Sequence, residues 1–149
     1  MAYLAKPATY SNVFKFPAKL NFASSTRDKV RSALEKKGVP AKLVFHICLC
    51  LDEALTNAIE HGSTTYEQNV ELGYRIERDF IEISVTDSGG LIFDPEYFDK
   101  LATVKDWGVG GRGILLIRSF MDEVYFVFTP KISTRVIMRK KIDPIDLKD

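Results

Sequence analysis

Glu53-Ala54-Leu55-Thr56-Asn57-Ala58-Ile59-Glu60-His61-Gly62 sets a carboxylate, a carboxamide and an imidazole at four-residue steps. On a helix, steps of three and four return to the same face. Leu43, Val44, Ile47, Leu51, Leu55, Ala58 and Ile59 supply the apolar side. Pro40 suits a first helical turn, and Gly62 suits a left-handed stop. The stretch therefore predicts an amphipathic helix from about Pro40 to His61. Glu53, Asn57 and His61 form a polar stripe beside its buried face. Asn is a mediocre helix former and needs a reason to sit there. It offers a neutral oxygen ligand for Mg²⁺, and a Glu one turn earlier can act as a base beside it. Taken alone, the three residues also describe an ordinary solvated face.

Working outward, Val13 to Phe16 alternate and read as a first strand. Ser24 or Ser25 can cap a helix running to about Lys37, ended by Gly38 and Pro40. Beyond the long helix, Asn69 to Glu77 and Phe80 to Thr86 read as strands joined through Arg78-Asp79. An irregular, glycine-rich stretch runs from Asp87 to about Gly111, a length that points to a functional loop. Ile114 to Met121 reads as a short apolar helix. Val124 to Phe128 and Thr134 to Met138 read as closing strands, and the tail from about residue 142 is expected to fray. Helices and strands come in groups rather than strict alternation. That order predicts an α+β two-layer sandwich, with helices on one face of a mainly antiparallel sheet.

The chain has 149 residues, a size that suits one domain with a sizeable core. Its 46% hydrophobic and 28% charged residues are ordinary for a soluble protein. A formal net charge of +1 gives no strong field for nucleic acid or membrane. No apolar run reaches membrane-spanning length and no signal peptide is visible, so a cytoplasmic location is expected. Cys48 and Cys50 point roughly 200° apart on a helix and read as small core residues in a reducing compartment.

Two further segments bear on chemistry. In Ile83-Ser84-Val85-Thr86-Asp87-Ser88-Gly89-Gly90 an acid ends a strand where the chain turns on glycines. Such a carboxylate can accept a hydrogen bond from the exocyclic amine of a base, and glycine lets backbone approach a flat ring. A plain turn fits the same residues. In Gly108-Val109-Gly110-Gly111-Arg112-Gly113 a glycine-rich loop enters an apolar helix. Free amides and the helix dipole favour phosphate there, and Arg112 adds charge; a flexible hinge is the alternative. The segment is neither a Walker loop nor a dinucleotide fingerprint.

In this order and spacing, the three segments resemble the N box and two glycine boxes of the GHKL ATPase superfamily. The likeness is greatest to RsbW-like anti-sigma-factor serine kinases. It rests on Glu-Ala-x-x-Asn-Ala-x-x-His-Gly, on Asp-x-Gly with Phe93-Asp94-Pro95, and on Gly-Arg-Gly with Leu115, Ile117, Arg118 and Met121-Asp122-Glu123-Val124. It spans roughly Val13 to Arg139 and implies the Bergerat, or histidine-kinase-like ATPase, fold.

The resemblance also implies roles. Glu53 would be the general base, and Asn57 would hold the Mg²⁺ that bridges the ATP phosphates. Asp87 would bind the adenine amine and Gly89 would line the base. Gly111, Arg112 and Gly113 would meet the phosphates under a mobile lid at about 88–110. His61 would sit near the same end of the pocket, and Thr134 would reach the adenine side. The chain departs from many relatives in carrying Lys131-Ile132-Ser133-Thr134 where they have Gly-Thr.

By the same likeness the activity would be ATP-dependent serine/threonine kinase and anti-sigma factor. The partners would be a sigma factor, a STAS-type anti-sigma-factor antagonist as substrate, and a second copy in a homodimer. The alternative is a nucleotide-gated binding module without significant kinase activity. A sensor kinase would need a phosphoacceptor helix pair, and a topoisomerase or MutL-type ATPase a second domain.

Overall fold

In the computed structural model, the residues described are 10, 12–62, 68–88, 116–129 and 133–148, the side chains of 61, 62, 128, 129 and 145 excepted. Among the described residues, five strands form one antiparallel sheet in the order β1-β2-β3-β5-β4: β1 (Asn12–Pro17), β2 (Asn69–Ile76), β3 (Phe80–Asp87), β4 (Glu123–Thr129) and β5 (Ser133–Lys141). Two helices, α1 (Leu20–Lys36) and α2 (Ala41–Asn57), pack together and against the sheet. This is the expected α+β two-layer sandwich.

Period-two alternation decides which side of the sheet is covered. Val70, Leu72 and Tyr74 on β2, with Ile81, Ile83 and Val85 on β3, join the buried core. From above, α1 buries Ala23, Thr26, Val30 and Leu34, and α2 buries Val44, Ile47, Cys48, Leu51, Ala54 and Leu55. The cysteines are buried free thiols, as expected, and burial pushes the Cys50 thiol up to about 12.

The end of α1 follows its sequence signals. Gly38 takes φ +85°. Its N–H donates to Glu35 O at 3.0 Å, and that of Val39 to Leu34 O at 3.1 Å. These are the two bonds of a Schellman stop, which needs a left-handed residue at this position.

Four details differ from expectation. First, α1 begins at Leu20 rather than at a Ser24 or Ser25 cap, and Lys19 precedes it without a side-chain cap bond. Ala23 is already buried, so packing recruits the earlier turn. Second, the long helix changes winding. The α-helix ends at Asn57 and a π-turn spans Ala58–Gly62. Third, β5 continues to Lys141, because Arg139, Lys140 and Lys141 pair with Glu82, Ile81 and Phe80.

Fourth, the tail is held rather than frayed. Ile142 is buried and donates to Asp79 O at 3.0 Å, a 3₁₀ turn spans Pro144–Asp146, and Lys148 N donates to Lys37 O at 2.7 Å. The carbonyl of Asp146 lies against Gly38, where a Cβ would approach it to 2.7 Å.

Residues 116–120 are helical, within the span expected for the short helix. The expected lid at 88–110 lies, apart from Ser88, outside the described residues.

Candidate functional site

Asp87 is the last residue of β3 and Thr134 the second of β5, and they are direct antiparallel partners. Partners across a ladder project to the same face. Asp87 keeps the phase of Ile83 and Val85, so the pair faces the helical layer. Asp87 is 4% exposed and Thr134 8%. Among the described residues, Thr134 Oγ1 is the buried side-chain polar atom without a hydrogen-bond partner. Such a group costs stability unless something supplies its partner. A ring carrying donors and acceptors, set between this hydroxyl and a buried carboxylate, would supply it. Adenine fits that description.

The helical side of the site comes from the last turns of α2. Glu53 and Asn57 share one face there, and both are half-buried. β3 packs against α2 and against the π-turn that follows, so both pairs lie on the same side of the sheet. The Glu53 carboxyl is raised above its ordinary range by burial first, then by the charges of Asp52 and Glu60. That direction suits proton transfer near neutral pH. The π-turn replaces i→i+4 winding by i→i+5, a device frequent at functional sites. It therefore interrupts the four-residue stripe after Asn57. The side chain of His61 lies outside the described residues, as do Gly89, Gly111, Arg112 and Gly113.

Among the described residues, no group of three or more His, Cys, Asp or Glu forms a metal cage. A lone neutral oxygen, as on Asn57, suits Mg²⁺, which keeps several waters and takes its remaining ligands from phosphates.

Two polar arrangements went unread in the sequence. On the opposite face of β3, Glu82 is fully buried and accepts hydrogen bonds from Tyr10 Oη at 2.7 Å, Arg75 Nε at 3.4 Å and Arg139 Nε. A carboxylate within an apolar strand was the available signal, but its donors come from three separate segments. Between the helices, Arg27 bonds Asp52, the residue before Glu53. A cleft of about 470 Å³ lined by Lys15, Glu71, Thr86, Asp87 and Ser133, among others, opens at the same strand ends. All but Asp87 of those five alternate to the outer face, so this cleft meets the helix-side site at Asp87 but opens mainly on the other side of the sheet.

Comparison with known proteins bears on the family and the fold. The histidine kinase-like ATPase domain family matches residues 16–140. Serine-protein kinase RsbW of Listeria monocytogenes is 27% identical over 137 residues, covering 87% of this chain and 85% of that protein. Serine-protein kinase RsbW of Bacillus pumilus is 25% identical over 141 residues, covering 87% of each.

Among solved structures, the SiaB–SiaC complex from Pseudomonas aeruginosa supplies a chain with TM-score 0.62 and 14% identity, over 89% of this chain and 91% of that one. The RsbU and RsbW domains of Rv1364c from Mycobacterium tuberculosis give TM-score 0.57 and 18% identity, over 87% of this chain and 32% of that one. At these identities the structural likeness establishes the fold. No helix among the described residues is long and apolar enough to cross a membrane.

Proposed function

The chain belongs to the histidine kinase-like ATPase domain family, and from that premise we propose that it is an ATP-dependent serine/threonine protein kinase and anti-sigma factor. Its substrate in this reading is a STAS-type anti-sigma-factor antagonist in a partner-switching circuit. It holds a sigma factor when the antagonist is phosphorylated and releases it when the antagonist is not. The observation that carries the nucleotide site is the buried Asp87 beside the unpartnered Thr134 hydroxyl, on the face that also presents Glu53 and Asn57. The names of the relatives, serine-protein kinase RsbW, support the kinase assignment.

In this reading Asp87 accepts the adenine amine, with Gly89 against the ring and the Thr134 hydroxyl at its edge. Asn57 would hold Mg²⁺, which would supply neutralising charge for the phosphates. Gly111, Arg112 and Gly113 meet the phosphates, and His61 stands near that end. Glu53 takes the proton of the attacking serine or threonine hydroxyl. The hydroxyl oxygen then bonds the γ-phosphorus, and the bond to the β–γ bridging oxygen breaks to leave ADP. Phosphoryl transfer asks the protein mainly for position and charge stabilisation. The lid at 88–110, a cytoplasmic location and a homodimer complete the proposal.

Incubation with γ-labelled ATP and a STAS-domain antagonist tests it. Wild-type protein should label the antagonist. Glu53→Gln should bind ATP unchanged and lose about 10²–10⁴-fold in transfer rate, since Gln keeps the shape but takes no proton. Transfer by Glu53→Gln at the wild-type rate would remove Glu53 as the base. Sigma-factor capture without any transfer by the wild type would make the chain a nucleotide-gated binding module.

A further inference from the structure

Arg27 on α1 reaches across to α2. Its Nη1 donates to both carboxylate oxygens of Asp52, at 2.9 and 2.7 Å. Its Nε and Nη2 donate to Asp28 Oδ1 at 3.2 and 3.0 Å. The guanidinium therefore sits between two carboxylates, one on each helix, and its side chain is 21% exposed. Paired guanidinium contacts are geometrically demanding and hold their partner in place. Here the partner is the residue immediately before Glu53.

We propose that Arg27 is a positioning residue for this site, holding Asp52 against α1 and offsetting part of its charge beside Glu53. The inference rests on the reading of Glu53 as the base. Glu53 stands among several described charges. Asp52 precedes it in α2, and Glu60 lies in the π-turn; both act on it with the same sign. On α1, Arg27 is flanked by Asp28, which Arg31 Nη1 approaches to 3.5 Å. From β5 comes Lys140, whose charge reaches Cys50 one turn before Glu53, while its Nζ donates to Phe120 O at 2.8 Å. Of these cations, Arg27 is the one hydrogen-bonded to a charge that acts on Glu53. Removing it leaves Asp52 uncompensated next to the base. Removing Asp52 leaves Arg27 uncompensated, with the opposite sign. Removing both restores the balance.

This sign pattern separates a charge role from plain packing of α1 on α2. The measurement is the ¹³C carboxyl titration of Glu53 in the full chain, assigned with Glu53→Gln. Arg27→Gln should raise the midpoint by about 0.3–0.6 pH unit, Asp52→Asn should lower it by a similar amount, and the double variant should return to within about 0.2 unit of wild type. An unmoved midpoint in Arg27→Gln, or a double variant displaced as far as Arg27→Gln alone, would overturn the proposal. Should Arg27→Gln fail to fold, Asp52→Asn carries the test, and an unmoved midpoint there overturns it as well. The phosphotransfer assay on Glu53→Gln keeps the two readings apart. Retained transfer removes the base assignment itself. Lost transfer with midpoints that ignore the charge pattern removes only the role of Arg27.

Discussion

Glu82 and Thr134 are both buried on neighbouring strands, yet they face opposite sides of the sheet and have opposite surroundings. Glu82 is fully buried and accepts from Tyr10, Arg75 and Arg139, and both guanidinium groups also lie over the Phe80 ring, at 5.1 and 4.9 Å. Thr134 stands beside the buried Asp87 and its hydroxyl has no partner. The contrast distinguishes two uses of buried polarity. A buried charge surrounded by its own donors ties segments of the protein together. A buried hydroxyl without a partner lowers stability, and in the proposed reading a nucleotide base completes it.

The first way to break this comparison is to remove the charge at Glu82. Glu82→Gln replaces one acceptor by a donor that faces cationic donors. Disrupting a buried pair in this way should cost about 2–4 kcal/mol, shifted below the usual range of about 3–5 because the guanidinium groups reach solvent. For a chain of this size that is a fall of about 5–12 °C in Tm. ADP affinity, measured well below the melting range, should not change. A large loss of ADP affinity without a loss of stability would merge the two regions into one site.

Acid sharpens the same point. Burial alone would raise the Glu82 carboxyl, but the hydrogen bonds from Tyr10, Arg139 and Arg75 outweigh it and hold it below its ordinary range. A carboxylate lowered in the folded state stabilises above its unfolded pKa. That contribution is lost as pH falls through the folded value. The Tm gap between wild type and Glu82→Gln should therefore narrow as pH falls below about 4. A constant gap from neutral pH into that range would show that the charge of Glu82 contributes nothing.

Asp87→Asn probes the other face. The amide presents a donor where the adenine amine also donates. An unpaired buried contact costs about 1–3 kcal/mol, or roughly ten- to hundredfold in affinity. Calorimetry with ATP should show that loss, with a smaller fall in Tm than in Glu82→Gln. Unchanged affinity would reduce Asp87-Ser88-Gly89-Gly90 to a turn.

The two regions were also unequally legible in the sequence. Asp87 stood at the end of a readable strand and Glu53 and Asn57 on a readable helix face, so local spacing alone grouped them by element. The layer arrangement followed from the grouping of elements and from period-two alternation in β2 and β3. Other features depended on contacts between distant segments. Tyr10, Arg75 and Arg139 converge on Glu82 only once β2 and β5 flank β3. Arg27 meets Asp52 only when α1 lies along α2.

The start of α1 was misplaced because burial of Ala23 outweighed the capping preference of Ser24 and Ser25. The π-turn at Ala58–Gly62 leaves no periodicity signal, since the apolar residues before it suit an α-helix equally well. The tail looked polar and free, whereas Ile142 and the backbone of Lys148 tie it to the rest of the fold. Thr134 was readable as a hydroxyl near the site, but its lack of a partner was not.

That missing partner offers the most direct test of the central claim, that the ends of β3 and β5 form a nucleotide-base site. Thr134→Val removes the hydroxyl and keeps the branched shape. Apo protein should melt no lower than wild type, and up to about 1 kcal/mol more stable, because an unsatisfied buried group is gone. ADP affinity by calorimetry should fall severalfold, about the worth of one hydrogen bond. A lower apo Tm with unchanged ADP affinity would contradict the account, and would place Thr134 with Glu82 among the residues that only hold the fold.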